Sequence, residues 1–430
     1  MNILVLHGIE DKTRYPKAVV DLEFSFLHFL NEGNFLFHCY ADPFPERFKT
    51  IDYDGIILWS TFLDARHLQT TLDLVKEEYQ FIADSNAVKI ALPQDEYYCN
   101  ELLDDWMVEW KIDYIYTVLY EFKELLLPRF DCLKPGNIKR GYTGYIFPDL
   151  LRQTHQVKPF RERTIDVSYR ASGTPTNLNR IAYYKANIGD YFKHEFKESN
   201  LLLDISTDPK DFIYGENWYG FLENSKFVLG VNSGSSIRVP NLRVSSQIKD
   251  YNEENPNASY DEIVRNYLHE QEDICYTAIS PRNIEAALLG SCQITTDLGP
   301  YSGILEPRIH FIPINPDCSN VKDVIEQMED KSYVQILIEN SREAMLSTNR
   351  LRIEFLIEEL FELIKNGLGH NSTKNIWFQK NILDHRLFIH SVRTKRNWNS
   401  WRTHSQLLLK LKKYSGYYKL KHLMSGKGIV

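Results

Sequence analysis

A chain of 430 residues exceeds what one ordinary hydrophobic core supports, which predicts two domains and a small appendage. A content of 43% hydrophobic and 25% charged residues is typical of folded globular proteins and excludes widespread disorder. The net charge of −8 excludes nucleic-acid binding by the molecule as a whole, and the six scattered cysteines form no CxxC pair. No apolar run is long enough to span a bilayer, so we expect the protein in the cytoplasm or peripherally on the inner face of the membrane.

The first third of the chain alternates short apolar runs with amphipathic segments. An apolar spacing of three and four predicts a helix at 17–33, closed by Gly33, and another helix at about 72–83. Strand-length apolar runs occur at 2–8, 35–40, 54–60 and 87–96. Alternating strands and helices predict a parallel sheet with right-handed crossovers.

The same pattern restarts after a polar, basic stretch at 153–163. A new first strand is predicted at 163–170, followed by a helix at 179–195. The strongest helix signal runs from Pro281 in the first turn to Gly290 at the end. Residues 234–261 lack any period and predict a long insertion or a mobile loop.

We therefore predict an α/β fold with two Rossmann-like domains that face each other across a cleft. The predicted boundaries are 1–155 for the first domain, 156–370 for the second, and 371–430 for a basic helical extension. Ligands of open parallel sheets bind beyond the carboxyl ends of the strands, so the candidate residues are those that follow the strands.

Several common catalytic and nucleotide-binding motifs are absent from these strand ends. No GxGxxG follows the first strand, and no Walker loop, GxSxG elbow or HExxH occurs. No DxD clamp is evident at a strand end, which predicts a site that works without a metal or any other cofactor.

The stretch SPRNIEAALLGSCQITTDLGPYSGIL is the most informative. Glu285 lies early in its helix, where it either accepts hydrogen bonds from ribose hydroxyls or only interacts with the helix dipole. Arg282 is either a phosphate ligand or a surface arginine. Residues 300–303 are predicted to open the next helix and either cradle a diphosphate or form a plain turn.

These residues resemble GT-B glycosyltransferases of bacterial surface-polysaccharide clusters, of the CgeB-like and glycosyltransferase family 4 kind. The resemblance is carried by RTIDVSYRASGTP, WYGFLENSKFVLGVNSGSSI, AISPRNIEAALLGSCQITTDLGPYSGIL and HFIPIN, with ILVLHGIED, IALPQDEYY and GYTGYIFPDLL in the first half. It covers roughly residues 1–363. Two departures are Thr277, where the retaining pattern has a carboxylate, and Asn232, where an acid is expected.

The resemblance implies a hexosyl- or pentosyltransferase that uses a nucleotide-sugar donor held by the second domain. The expected acceptor is a polysaccharide, O-antigen, capsular or lipid-linked glycan. The residues expected to bind the donor are Arg170, Lys185, Asn232, Ser233, Gly234, Ser280, Arg282, Glu285, Tyr301, Ser302 and Gly303.

An inverting reaction needs a general base on the first domain, whereas a retaining reaction does not. The carboxylates and the histidine that follow its strands are the candidates: Asp95, Glu96, His7, Asp11 and Glu10. Each is alternatively a residue that only solvates a loop.

The segment 380–430 contains twelve Lys or Arg and one acid, mixed with tryptophan, tyrosine and leucine. This composition favours an anionic membrane surface over a packed helical extension or nucleic acid. Two alternative functions remain: a sugar-binding or scaffolding subunit without turnover, and a nucleotide-sugar epimerase of the same fold.

Overall fold

A computed structural model describes residues 1–29, 33–171, 179–255, 258–267 and 274–367. These residues form two parallel sheets flanked by helices, which confirms the predicted α/β fold with two Rossmann-like domains. The predicted basic extension at 371–430, including the proposed membrane-binding segment, lies outside the described residues.

The first lobe is built on a six-stranded sheet in the order β2-β1-β3-β4-β5-β6, with every pair parallel. Its central strands are apolar and buried along their length, as expected for a sheet covered on both faces. The strands are β1 (Asn2–His7), β2 (Asn34–Cys39), β3 (Gly55–Trp59), β4 (Val88–Leu92), β5 (Tyr114–Thr117) and β6 (Ile138–Arg140). The helices are α1 (Lys17–Glu23), α2 (Glu46–Lys49), α3 (Ser60–Leu63), α4 (Gln69–Glu78), α5 (Phe81–Asp84), α6 (Asn100–Glu109), α7 (Lys123–Leu126), α8 (Pro128–Leu133) and α9 (Pro148–Gln153).

The second lobe is built on a five-stranded parallel sheet in the order β13-β12-β9-β7-β8, beside the antiparallel pair β10-β11. The strands are β7 (Ile165–Arg170), β8 (Leu203–Ser206), β9 (Ser225–Gly230), β10 (Ser233–Ser235), β11 (Tyr276–Ala278), β12 (Cys292–Thr295) and β13 (Ile312–Pro313). The helices are α10 (Arg180–Glu195), α11 (Glu216–Glu223), α12 (Leu242–Glu254), α13 (Tyr260–Tyr267), α14 (Pro281–Leu288), α15 (Val321–Glu329), α16 (Lys331–Ser347) and α17 (Ile353–Gly367).

Helix α17 returns to the first lobe, although the predicted boundaries assign it to the second domain. The ring of Phe361 lies 5.9 Å from that of Phe26 and 6.0 Å from that of Phe35. Where the chain crosses back, the Ile146 N–H donates to the Leu351 carbonyl at 2.7 Å. The first lobe is therefore made from two separate stretches of chain.

The two lobes are also joined at a second place, which we call the interlobe clasp: residues 97–101 of the first lobe and 239–241 of the second. The Cys99 N–H donates to the Val239 carbonyl at 2.6 Å, and the Val239 N–H donates to the Tyr97 carbonyl at 2.8 Å. The Glu101 N–H donates to the Pro240 carbonyl at 3.1 Å. Backbone hydrogen bonds thus connect the end of the β4 loop directly to the other lobe.

Three local predictions are wrong. The helix predicted at 17–33 ends at Glu23, whose carboxylate turns inward to bind Ser60 and Thr61, and a short 3-10 helix follows at Ser25–Phe29. The stretch 234–261 is not a loop, because it contains β10, α12 and the start of α13.

Helix α12 was not predicted because its apolar face is narrow. This face consists of Val244, Ile248 and Tyr251, which pack with Tyr98 and Ile263 in a small separate cluster. Residues 300–303 do not open a helix either. They form a turn in which Ser302 and Gly303 have positive φ angles of 53° and 71°.

Helix α17 provides a test of the two-stretch architecture. Leu360 is fully buried in the cluster that contains Phe26 and Phe361, so Leu360→Ala should lower the free energy of unfolding by about 3 kcal/mol. Urea unfolding measures this loss, and Glu358→Ala, at an exposed position of the same helix, is the matched control. Equal stability of the two variants would contradict the packing of α17 on the first lobe.

Candidate functional site

Helix α14 starts at the carboxyl edge of the second sheet and carries two of the predicted donor ligands. Ser280 caps the helix: its hydroxyl accepts from the Asn283 N–H at 3.4 Å, and the Asn283 side chain accepts from the Ser280 N–H at 3.0 Å. Pro281 follows at the first position. Ser280 therefore fixes where the helix starts, and Arg282 and Glu285 project from its first two turns.

Glu285 is a buried carboxylate, 7% exposed. The indole Nε1 of Trp218 donates to its Oε2 at 2.7 Å. Burial raises the pKa of Glu285 to about 7, although the Trp218 hydrogen bond and the charge of Arg282 oppose this rise. The cavity beside it, lined also by Asp21 and Tyr219, measures about 10 Å³, which is room for one water. A ribose therefore reaches Glu285 only if Trp218 or helix α1 moves.

Arg282 lies between two aromatic rings. Its guanidinium is 5.6 Å from the Tyr169 ring centre and 5.7 Å from that of Trp218, and its Nη2 donates to the Arg170 carbonyl. Its Nε is buried and has no hydrogen-bond partner among the described residues. Burial lowers the pKa of this guanidinium. The side chain is thus held in place by rings while a donor remains unused.

Lys185, on helix α10, lies close to Arg282. Burial lowers its pKa to about 8, the charge of Arg282 lowers it further, and the charge of Asp95 across the cleft opposes the change. Within the described parts of the chain, its ammonium has no hydrogen bond or ion pair. Among the described residues neither cation forms an ion pair with a carboxylate, although the charge of Glu285 acts on Arg282. Two desolvated cations in this arrangement are suited to an anion.

Arg170 was also predicted to bind the donor, but its guanidinium is engaged within the lobe. It pairs with the Asp204 carboxylate at 2.6 Å and donates to the carbonyls of Asp204, Tyr169 and Asp211 at 2.8 to 3.0 Å. It also covers the Phe221 ring at 4.6 Å. Arg170 is therefore engaged by protein groups, in contrast to Lys185 and the Nε of Arg282.

The loop after β9 holds three further predicted residues. Asn232 is fully buried and accepts from the Thr296 hydroxyl at 2.8 Å and the Leu298 N–H at 3.0 Å, so it joins the ends of β9 and β12. Ser233 and Gly234 begin β10 and pair with β11. A Cβ at Gly234 would lie 1.9 Å from the Tyr276 carbonyl oxygen. This close approach explains the glycine without a ligand.

The turn at 300–303 also makes mainly internal contacts. Tyr301 is 2% exposed, and its hydroxyl donates to the Thr296 carbonyl at 2.6 Å. The Ser302 hydroxyl accepts from the Ile279 N–H at 3.2 Å, which ties the turn to the chain just before α14. Gly303 supplies the positive φ that the turn needs.

Among the candidate bases of the first lobe, Glu10 and Asp95 are exposed, and of these two it is Asp95 whose charge acts on the second lobe. It sits in the left-handed region with φ 52°, and its Oδ1 accepts from the Tyr97 hydroxyl at 2.7 Å. Its charge acts on Lys185 of the other lobe. The structure therefore brings together Asp95, Lys185, Arg282, Glu285 and Trp218, which we call the interlobe site.

Glu96, the next residue, points the other way and is fully buried. Its Oε1 accepts from the Thr117 hydroxyl at 2.6 Å and the Val118 N–H at 3.0 Å, which joins the ends of β4 and β5. Burial raises the pKa of Glu96 to about 7. No proton of an acceptor in the cleft can reach this carboxylate.

His7 and Asp11 make contacts within the first lobe. His7 is 2% exposed, its Nδ1 accepts from the Ile9 N–H at 3.2 Å, and its ring centre is 4.8 Å from that of Phe24. Asp11 pairs with Arg14 at 3.5 Å.

Two contributors were not predicted from the sequence. Trp218 holds Glu285 and Arg282 from a helix more than sixty residues earlier, and a lone tryptophan carries no signal of such a contact. Arg66, which holds the loop that carries Asp95, is the other.

In the described ranges, no three His, Cys, Asp or Glu side chains are grouped to hold a metal, and no helix has the length and apolarity to cross a membrane. Metal independence remains a prediction.

No protein-family model and no curated protein matches the chain. Solved structures that resemble it include an alpha-glucosyltransferase in complex with UDP-glucose and DNA containing an abasic site (11% identity, TM-score 0.47), covering 85% of this chain and 98% of that one. A glycosyltransferase from Rickettsia africae (10%, TM-score 0.44) covers 86% and 99%, and Anabaena HepE in complex with UDP and glucose (10%, TM-score 0.42) covers 85% and 100%.

Glu96 provides a test of its structural role. Because its folded pKa is raised from 4.5 to about 7, its stabilising contribution is complete below pH 4.5 and is lost as pH rises through 7. The free energy of unfolding of Glu96→Gln, relative to that of the wild type, should therefore rise by about 3 kcal/mol between these pH values. Denaturant unfolding at several pH values measures it. Glu124→Gln, at an exposed carboxylate, should show no such growth, and a flat difference for Glu96→Gln would refute the assignment.

Proposed function

We propose that the protein is a glycosyltransferase that moves a sugar from a nucleotide-sugar donor to a hydroxyl of a glycan or lipid-linked glycan. The observation that carries the proposal is the pair Lys185 and Arg282, two desolvated cations at the carboxyl edge of the second sheet, with an unused buried donor on Arg282. A nucleoside diphosphate matches this pair in charge and in its need for N–H donors.

The chemistry follows from what each side chain of the interlobe site can do. Asp95 accepts the proton of the acceptor hydroxyl while the oxygen of that hydroxyl attacks the anomeric carbon of the donor. The bond from that carbon to the diphosphate oxygen breaks, and negative charge grows on the leaving group. Lys185 and Arg282 stabilise this charge more strongly in the transition state than in the ground state. Glu285 accepts from the ribose hydroxyls once Trp218 or α1 has moved.

The bacterial surface-polysaccharide setting and the hexosyl or pentosyl donor come from the sequence resemblance. The metal-free reaction comes also from the missing DxD clamp, and the membrane location comes from the basic composition of residues 380–430. HepE is known in complex with UDP and glucose, and the alpha-glucosyltransferase in complex with UDP-glucose, so UDP-sugars are the first donors to test. The stereochemical outcome depends on whether Asp95 is needed, since a retaining reaction proceeds without a base.

A sugar-binding subunit without turnover is the second candidate, and one observation favours it. Thr277 stands where the retaining pattern has a carboxylate. It is fully buried and donates to the Pro300 carbonyl at 2.9 Å, so it offers no charge to a sugar. Heat stabilisation by a nucleotide sugar without nucleotide release, across several acceptors, would favour this candidate.

The cation pair predicts how nucleotide binding depends on pH. Because a bound diphosphate needs the protonated Lys185, whose pKa is about 8, affinity for UDP, GDP or ADP should fall as pH rises above 8, by up to about tenfold per pH unit. Isothermal titration calorimetry measures the affinity. Lys185→Arg should remove the pH dependence, and Lys185→Met should bind at least tenfold more weakly. Equal binding by all three proteins would exclude Lys185 from the site.

Asp95 predicts a separation of binding from turnover. Asp95→Asn keeps the left-handed backbone, which asparagine tolerates, but removes the base. We expect a fall in kcat of at least about a hundredfold with nucleotide affinity within a factor of two. Nucleotide release from a panel of UDP-, GDP- and dTDP-sugars is the assay, and Asp105→Asn, at an exposed residue of α6, is the control. Full activity of Asp95→Asn would point to a retaining reaction.

A further inference from the structure

Arg66 is a fully buried arginine whose guanidinium donates most of its hydrogen bonds to backbone carbonyls. It lies in the 3-10 helix Asp64–His67 that follows α3. Its Nη2 donates to the carbonyls of Gln94 at 2.8 Å and Asp95 at 3.1 Å, and its Nε donates to that of Tyr98 at 3.2 Å. Its Nη1 donates to the Leu63 carbonyl at 3.0 Å.

Among the residues that the structure describes, four backbone carbonyls and a single carboxylate accept hydrogen bonds from this guanidinium. The nearest acid in contact, Asp64, lies 3.4 Å from Nη1 and is 44% exposed. A buried guanidinium is costly unless its donors are satisfied. Three of the carbonyls that accept from Arg66 belong to one short loop, 94–98. The conformation of that loop and the hydrogen bonding of the Arg66 guanidinium therefore depend on each other.

The loop needs this support because its backbone is strained. Asp95 has φ 52°, a region that non-glycine residues occupy at an energetic cost. Arg66 holds the carbonyls on both sides of the strained residue and beyond it. Tyr97 completes the arrangement, because its hydroxyl donates to the Asp95 carboxylate at 2.7 Å. Backbone and side chain of Asp95 are thus each held by a different partner.

We propose that Arg66 and Tyr97 are positioning residues for Asp95: Arg66 fixes its backbone, Tyr97 fixes its carboxylate, and together they aim it at the cleft. This inference rests on the proposed role of Asp95 as the base. Neither residue contacts a reacting atom, since both act through Asp95.

A double-mutant cycle separates positioning from general stability. The variants are Arg66→Lys, Tyr97→Phe, Asp95→Asn and the two combinations with Asp95→Asn. A lysine ammonium cannot reach the carbonyls that the forked guanidinium spans, so Arg66→Lys should lower kcat by about tenfold to a hundredfold, with the donor KM within a factor of two. In the Asp95→Asn background, neither Arg66→Lys nor Tyr97→Phe should lower kcat further.

Arg163 is the matched control. It is also buried and donates to the carbonyls of Lys158, Ser225 and Leu289 at 3.1, 2.9 and 2.6 Å, but in the second lobe away from Asp95. Arg163→Lys should lower the melting temperature while its effect on kcat, if any, adds to that of Asp95→Asn. Additive effects for Arg66→Lys and Tyr97→Phe as well would overturn the inference.

Hydrogen exchange provides a readout that needs no activity. Amides of residues 94–99 should exchange at least tenfold faster in Arg66→Lys than in the wild type or Arg163→Lys. Unchanged exchange there would overturn the positioning role of Arg66, and if Arg66→Lys does not fold, the Tyr97→Phe cycle decides. A wild-type level of turnover in Asp95→Asn itself would instead show that the proposed base is wrong.

Discussion

Two positive charges, Lys185 and Arg282, are held together where the carboxyl edge of the second sheet meets the first lobe, and much of the surrounding structure follows from that constraint. Desolvation weakens the protonation of both groups. The rings of Tyr169 and Trp218 hold the guanidinium without neutralising it. Nearby acids are either partly neutralised by burial, as Glu285 is, or stand across the cleft, as Asp95 does. The site is thereby kept electropositive.

Buried carboxylates serve a different purpose in the first lobe. Glu23 accepts from the Ser60 hydroxyl and from the backbone and hydroxyl of Thr61, and Glu96 accepts from Thr117 and Val118. Glu23 joins the end of α1 to the start of α3, and Glu96 joins the ends of β4 and β5. Burial raises the pKa values of both carboxyl groups to about 7. An acid with a raised pKa near a cleft is often taken for a catalytic group. Here the hydrogen-bond partners show that these two groups brace the sheet instead.

The sequence predicted the architecture well because it depends on periodic patterns that repeat along the chain. Alternating strands and helices, the restart near 163, and the Ser280–Gly290 helix are all local signals. Arg282 and Glu285 were candidates because residues after parallel strands converge at one edge, whereas Lys185 was a candidate only through the family resemblance. Side-chain direction at Asp95 and Glu96 could not be predicted, since it depends on a left-handed turn and on Thr117, a partner far along the chain. Arg66 and Trp218 were missed for the same reason: their roles consist entirely of long-range contacts.

The return of α17 to the first lobe changes how the two lobes can move. The second lobe is connected to the first by two chain crossings, and these crossings are bonded to each other. The Ile146 N–H donates to the Leu351 carbonyl, and the Ile353 N–H donates to the Ile146 carbonyl. A pair of bonded crossings permits rotation about the line that joins them but resists twisting and sliding. Opening of the cleft would thus be restricted to a single rotational degree of freedom, and the same rotation would strain the backbone hydrogen bonds between 97–101 and 239–241. Ligand entry and rupture of that contact would then be one mechanical event.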